Sequence, residues 1–201
     1  MLEWLKELDR DLLLYLNSFH TPILDPVMFW ITKTLFWLPL YLFLLFITIK
    51  YFKKDWWIII IGIAFAILLT DRITSGFMKP YFERLRPSRE PALQGLVHLV
   101  KDSAGKIYTG GKYGFASSHA ANTFATAMFF WLVFRHRYRW MWVLFIWAVV
   151  MTYTRIYLGA HYPGDILVGL LIGLVCGWTG YKVQQWIWKR KYKDAQQLQI
   201  K

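Results

Sequence analysis

Apolar residues along this chain gather into five long runs, near 26–49, 56–77, 118–134, 140–156 and 164–188, parted by short polar links. Each approaches the ~20 residues that a helix needs to cross a hydrocarbon core. Residues 2–19 follow a different pattern. Leu5, Leu8, Leu12 and Leu16 recur at helical spacing, opposite Glu3, Lys6, Glu7, Arg10 and Asp11. A helix of this kind suits the membrane interface, or equally a seat against the bundle beside it. The pattern predicts an all-α integral membrane helix bundle with about five transmembrane helices plus an N-terminal amphipathic interfacial helix. It reads as a single domain over 1–201, with 1–20 interfacial, 26–188 forming the bundle and 189–201 a basic cytoplasmic tail.

Composition sharpens this reading. The 201 residues are 57% hydrophobic and only 18% charged, where a soluble domain carries about a quarter charged. A net charge of +12 raises nucleic acid as a partner. The Lys and Arg residues sit in small groups between apolar runs, as membrane flanks do, so no nucleic acid is expected. The lone cysteine, Cys176, leaves no internal disulfide. The mixed charge of residues 3–11 is not that of a cleavable signal peptide.

The basic groups also orient the bundle. Lys50, Lys53 and Lys54, then Arg135, Arg137 and Arg139, then Lys189, Arg190, Lys191 and Lys193 fall on one side of five crossings. The positive-inside rule makes that side cytoplasmic. Trp56, Trp57, Trp140, Trp142, Trp186 and Trp188 mark the same boundary, as an aromatic belt does. The other side receives the N-terminal helix, residues 78–117 and the link 157–163. In a bacterial inner membrane it would face the periplasm. The middle of the long outer segment, 96–111, reads as a hairpin around the turn-like Asp102, Ser103, Ala104 and Gly105.

Three polar clusters fall at the outer ends of the runs. They are Lys79 with Arg86 and Pro87; Ala116, Ser117, Ser118 and His119; and Thr154, Arg155, His161, Pro163 and Asp165. All three can meet at one membrane face. Lys79, Arg86 and Arg155 then supply fixed positive charge, and an arginine fork matches a tetrahedral oxyanion. Ser117 and Ser118 look like an N-terminal cap, which aims free backbone N–H groups at the same anion. These parts describe a phosphate cradle. His161 and Asp165, four apart, let a carboxylate orient an imidazole and raise its basicity. That imidazole can attack phosphorus, while His119 protonates the leaving group and then activates water.

Blander readings compete with these. His119, His161 and Asp165 are also common metal ligands, but three nearby cations repel a dication, so no metal and no cofactor are expected. Arg84 and Arg89 read as an interfacial patch for lipid headgroups, which makes Arg84→Ala far milder than Arg86→Ala. His20, His98 and His136 join no cluster. Lys33 reads as a snorkelling lysine, and Asp71 shares a helical face with Lys79 and would support the cradle from behind. Tyr81, Tyr108 and Tyr113 lie where the pocket mouth would be.

The spacing Lys-x6-Arg-Pro, then Ser-x-His, then Arg-x5-His-x3-Asp resembles the type 2 phosphatidic acid phosphatase superfamily over roughly residues 26–188. The resemblance implies that Lys79, Arg86, Ser117, Ser118 and Arg155 bind phosphate. His161 would be the nucleophile, Asp165 its partner and His119 the acid. It also implies metal-independent hydrolysis of a lipid phosphate through a phosphohistidine, with undecaprenyl pyrophosphate the first expectation. Lipid A, phosphatidylglycerol phosphate and phosphatidate are the alternatives, and a non-catalytic lipid-binding scaffold is the rival of another class. Three positions depart from the family pattern: Ala116 stands for its usual Pro, Ser118 for Gly and Thr154 for Ser.

Overall fold

The computed structural model describes residues 2–102 and 105–198. They form eight α-helices: α1 (Leu2–Asn17), α2 (Leu24–Ile31), α3 (Leu38–Phe52), α4 (Trp56–Asp71), α5 (Lys79–Phe82), α6 (Ser118–Phe134), α7 (Val143–Tyr157) and α8 (Pro163–Leu198). A π-helical stretch, Arg72–Met78, joins α4 to α5. No strand forms among the described residues. The expected hairpin is reduced to one bridge, Lys101 to Ile107, with a second bridge between Leu85 and Tyr113.

Small residues set the centre of the bundle. On α8, Gly169, Gly173 and Gly177 repeat every fourth position and therefore share one face. A Cβ added at each would lie 2.4–2.5 Å from a backbone carbonyl, of Ser117, Ala121 and Ala125 in turn. The two helices thus run parallel in near backbone contact, the approach that small residues permit in membranes. Helix α4 runs against both. Asp55, just before it, meets Lys191 and Tyr192 late in α8, whereas Thr74, just beyond it, bonds Ser118 at the start of α6. The remaining space fills with Ile59, Phe129, Phe130, Phe134, Met141, Leu144 and Met151. Outward faces stay apolar, with Leu68, Leu167, Leu171 and Val175 more than half exposed, as a lipid-facing surface requires.

Continuous helical stretches at Thr34–Phe82, Arg139–Tyr157 and Pro163–Lys193 are long and apolar enough to cross a membrane. The first contains a break at Lys53, where φ is 48°. Two expectations change. The apolar run 26–49 is not one helix: Lys33 is extended (φ −79°, ψ 130°), which parts α2 from the 3-10 turn that leads into α3. Lys33 therefore sits at a break, its ammonium 4.2 Å from the ring centres of Phe29 and Trp30. The basic segment from 189 continues α8 to Leu198 instead of leaving it, and 199–201 lie outside the described residues.

Helix α1 uses two faces. Leu13 and Asn17 are buried against the bundle, while Trp4, Leu5, Leu8, Leu12 and Tyr15 are exposed. Asn17 anchors it, donating to the Ile156 and Tyr157 carbonyls at 3.2 and 2.8 Å and accepting from His98 N–H at 2.7 Å. The packed reading of this helix therefore holds, and its outward face is an apolar stripe.

Because α6 and α8 are parallel to each other and opposed to α4, their first turns lie where α4–α5 ends. Helix α7 ends there too, since a short link carries it into α8. That meeting of two starts and two ends positions the site.

Candidate active site

Arg155 closes α7 and is almost wholly buried. Its Nη1 donates to Thr32 Oγ1 at 2.6 Å and its Nη2 to the Tyr108 hydroxyl at 3.0 Å. Its Nε has no partner among the described residues. Such a buried cation requires a counter-charge. Gly159, at φ +60°, turns the chain after α7, and Val97 and Leu99 press on it so closely that a Cβ would fall 2.7 Å from each. Ala160 and His161 N–H groups then fold back to the Arg155 carbonyl at 2.9 and 3.2 Å. The link therefore places His161 beside the last turn of α7, with the imidazole buried.

Asp165 is also fully buried. Its Oδ2 is 3.4 Å from His161 Nδ1, longer than a charge-assisted bond, and accepts the Tyr162 N–H at 3.1 Å. Its shortest side-chain contact is another: Arg84 Nη1 donates to Oδ1 at 2.9 Å. Arg84 also donates to Asp9 of α1 at 2.7 Å and lies 3.8 Å over the Tyr162 ring. Asp9 in turn accepts the Gly164 N–H at 2.7 Å, capping α8 from another helix. The interfacial-patch reading of Arg84 is thus corrected. Arg89, by contrast, is exposed and bonds the carbonyls of Gly110 and Gly111.

The His161 imidazole is also hydrogen-bonded to the backbone of Gly114. A Cβ on Gly114 would lie 3.0 Å from Asp165 Oδ2 and 3.3 Å from Arg86 Cγ, so the backbone here closes tightly over the pair and a larger residue would press on both side chains. A proton held on the Nδ1 side leaves the Nε2 lone pair free. Burial first, then the charges of Arg86, Arg155 and Lys79, hold the imidazole pKa well below 6.5 and keep the ring neutral. A neutral imidazole is the nucleophilic form. Arg86 is itself mostly buried, with Nε donating to the Tyr113 carbonyl at 3.1 Å.

Helix α6 begins as expected, with Ser117 as its cap. Ser117 Oγ accepts the Ala120 N–H at 3.4 Å, so this hydroxyl is engaged in the cap. The N–H groups of Ser118 and His119 have no intrahelical acceptor, as the first turn dictates. Ser118 Oγ turns away toward the π-helical stretch, 2.8 Å from Thr74 Oγ1 and 2.9 Å from Ser75 Oγ. Lys79 donates to the same oxygen at 2.7 Å and to Ser75 at 3.1 Å. The hydroxyl that replaces the usual glycine is therefore tied into a polar cluster that orients Lys79. His119 lies in the field of Arg155, His161, Arg86 and Lys79.

The structure thus brings Lys79, Arg86, Ser118, His119, Arg155, His161 and Asp165 to one end of the bundle. Sequence reasoning missed Arg84, Asp9 and Thr32. Asp71 accepts from Asn122 at 3.1 Å, and its charge acts on Lys79. Tyr108 bonds Arg155 and Tyr113 lends its carbonyl to Arg86, whereas Tyr81 is exposed and stacked on Phe77. His20 and His98 are not isolated: their rings stack at 3.8 Å, and His98 bonds Asp25 at 2.9 Å. Among the described residues no three His, Cys, Asp or Glu side chains are grouped to hold a metal ion.

This architecture has known counterparts. The chain is 36% identical to a lipid A 4'-phosphatase of Bacteroides thetaiotaomicron, over 97% of its length and 85% of that protein. It is 37% identical to a lipid A 4'-phosphatase of Porphyromonas gingivalis, over 90% and 75%. The crystal structure of Aquifex aeolicus LpxE matches with a TM-score of 0.61 at 26% identity, covering 87% of this chain and 95% of that one. A phosphatidylglycerolphosphate phosphatase from Bacillus subtilis, at 21% identity and a TM-score of 0.65, covers 91% and 87% and shares the fold. The profile of the PAP2 superfamily matches residues 55–189, and with the cradle, the two histidines and the buried aspartate in place, the chain belongs to that superfamily.

Proposed function

We propose that this protein removes a phosphate monoester from lipid A or a closely similar phosphorylated glucosamine lipid, through a phosphohistidine. The coarser statement stands on the family and its relatives: this is a membrane phosphatase acting on lipid phosphates. Lipid A is favoured over undecaprenyl pyrophosphate because two relatives described as lipid A 4'-phosphatases align over nearly the whole chain. The second reading keeps one specific support, 33% identity over 71% of the chain to a putative undecaprenyl-diphosphatase of Escherichia coli.

In this reading the phosphoryl oxygens enter between Lys79, Arg86 and Arg155. The N–H groups of Ser118 and His119, without intrahelical acceptors at the first turn of α6, would add further donors. His161 Nε2 attacks phosphorus in line with the leaving oxygen, which His119 protonates. His119 then takes a proton from water as it attacks the phosphohistidine, releasing phosphate and restoring both histidines. Asp165, itself fixed by Arg84, stabilises the charged His161 ring. If the chain crosses five times with its basic ends cytoplasmic, as the positive-inside rule favours, this chemistry would lie on the periplasmic face of a bacterial inner membrane, at headgroup level. There the acyl chains stay in the bilayer while phosphate reaches the cradle.

The test is phosphate release by the purified protein with EDTA present. The panel is lipid A, undecaprenyl pyrophosphate, phosphatidylglycerol phosphate and phosphatidate, with His161→Ala as control. Preferred release from lipid A supports the proposal. Preference for the pyrophosphate moves it to the second reading, and a folded protein silent on all four makes it a lipid-phosphate-binding scaffold.

A further inference from the structure

Three motifs supply the cations of the cradle, but a fourth segment lies against them. Residues 108–114, between α5 and α6, fold back over Arg86 and Arg155. Ser88 Oγ donates to the Thr109 carbonyl at 3.0 Å, and Arg89 donates to the carbonyls of Gly110 and Gly111 at 3.1 and 3.2 Å. The Tyr108 N–H bonds the Val100 carbonyl at 3.0 Å. So fastened, the segment presses on Arg86: a Cβ at Gly110, whose φ is +62°, would fall 2.4 Å from Arg86 Nη1. The Tyr113 carbonyl holds the same guanidinium through Nε. This segment is therefore one wall of the site.

Tyr108 is the side chain that this wall brings to Arg155. Its oxygen accepts from Arg155 Nη2 at 3.0 Å, and its ring centre lies 5.4 Å from that guanidinium, edge-on to Phe29. The same phenol is within electrostatic reach of Arg86. These two arginines are the charged groups that face it. Arg155 is 1% exposed whereas Tyr108 is half-buried, so the tyrosine is the more accessible of the pair. A hydroxyl has one proton to donate as well as lone pairs to offer. Here a lone pair is engaged by Arg155, and the proton meets no acceptor among the described residues. Accepting from a cation also polarises the O–H bond and makes its proton the stronger donor. A free O–H beside two guanidiniums is matched by the oxygen of an anion.

We propose that Tyr108 is a substrate-binding residue: its O–H donates to a phosphoryl oxygen that lies in the cradle with Arg86 and Arg155. The inference rests on the lipid phosphatase reading and adds to it a neutral side-chain donor from outside the three motifs. The donor meets the phosphate itself. It therefore serves every phosphate monoester alike, whatever sugar or chain the phosphate is attached to.

Two measurements on the detergent-purified protein test this. Tyr108→Phe keeps the ring against Phe29 and Arg155 and removes only the hydroxyl. It should lower kcat/KM by about 10- to 100-fold, the effect of one hydrogen bond to a charged group. The loss should be similar on a lipid phosphate and on a water-soluble aryl monoester. Loss on the lipid alone, or on neither, overturns the contact. A loosened Arg155 would also lower both, and the proton tells the two apart. Replacing Tyr108 by a ring-fluorinated tyrosine, whose phenol ionises at lower pH, keeps the oxygen for Arg155 and removes the proton within the working range. Donation to phosphate predicts a new alkaline limb in kcat/KM where fluorine NMR shows that phenol ionising. A residue that only holds Arg155 holds it at least as well as a phenolate, so activity that stays level through that titration overturns the proposal. A wild type inactive on every phosphate would overturn the phosphatase reading as well, whereas level activity across the titration removes only the role of Tyr108.

Discussion

Arg84 Nη1 stands 2.9 Å from Oδ1 of Asp165, a carboxylate with no exposure to solvent. Through Asp9 the same guanidinium reaches α1, whose outer face is an exposed stripe of Trp4, Leu5, Leu8 and Leu12. The aspartate beside His161 is thus held by a chain of charges that ends on α1, whose outer face is apolar. A buried carboxylate deprived of such a partner is strongly disfavoured as an anion.

Arg84→Ala should therefore cost activity, not spare it. A hydrogen bond between charged groups contributes about 1.5–3 kcal/mol, so kcat/KM should fall by roughly 10- to 100-fold. Arg84→Lys should recover only part, since one ammonium cannot bridge both carboxylates in the fork geometry. Steady-state kinetics in detergent decide it, and loss from Arg84→Ala within twofold of wild type would restore the patch reading.

His161→Ala should abolish phosphate release while leaving the helical circular dichroism intact. His119→Gln should behave differently. With the acid gone, an alkoxide leaving group departs slowly, but an activated aryl phosphate needs no acid and should release its phenol in one burst without sustained turnover. Rapid acid-free quenching and intact mass should then find the phosphoenzyme accumulating with the aryl substrate, because its hydrolysis also needs His119.

Ser118→Gly and Ser118→Ala should both stay active, within about tenfold of wild type, because the cradle uses the Ser118 N–H and that group survives either change. Lys79→Ala should lose far more. If the serine variants were as damaged as Lys79→Ala, the cradle would depend on the Ser118 hydroxyl that holds Lys79 and not on the backbone N–H alone.

The sequence carries much of this site because its parts are spaced along a few helices whose ends must meet in a membrane. Span lengths and basic flanks bring 79–86, 117–119 and 155–165 to one face without any contact being known. What it hides is non-local. Asp9 and Arg84 are 75 positions apart, and nothing local announces that an amphipathic helix will cap α8 through Asp9. One signal was present for Arg84. Leu85 bridges Tyr113 in an extended segment, and positions two apart in extended chain share a side; if Arg86 faces the cradle, so does Arg84. The break at Lys33 escaped for another reason, since apolar content alone does not distinguish one helix from two.

Gly173→Leu should destabilise the bundle although it touches no reacting group. A Cβ there would sit 2.4 Å from the Ala121 carbonyl, a backbone atom that cannot swing aside, so α6 and α8 must separate at about 1–3 kcal/mol or more. Their first turns carry the cradle and Asp165. Thermal unfolding in detergent should show the midpoint lowered, and activity should fall more than stability alone requires.

The pH dependence follows from the sign of the His161 shift. Its pKa lies well below 6.5 because burial and the neighbouring Arg86, Arg155 and Lys79 disfavour the imidazolium. The unfolded chain takes up this proton near pH 6.5 and the folded chain only at much lower pH. The associated stability is therefore fully present above about pH 6.5 and is lost as pH falls below it. For catalysis, His161 stays neutral through the mildly acidic range, so its protonation should not set the acid limb of kcat/KM in the wild type. Arg86→Met removes one of the repelling charges and should raise the His161 pKa. Imidazole NMR of the two proteins in detergent should show His161 taking up its proton at higher pH in Arg86→Met than in the wild type. An unchanged or lower midpoint would mean that Arg86 does not act on His161 through charge.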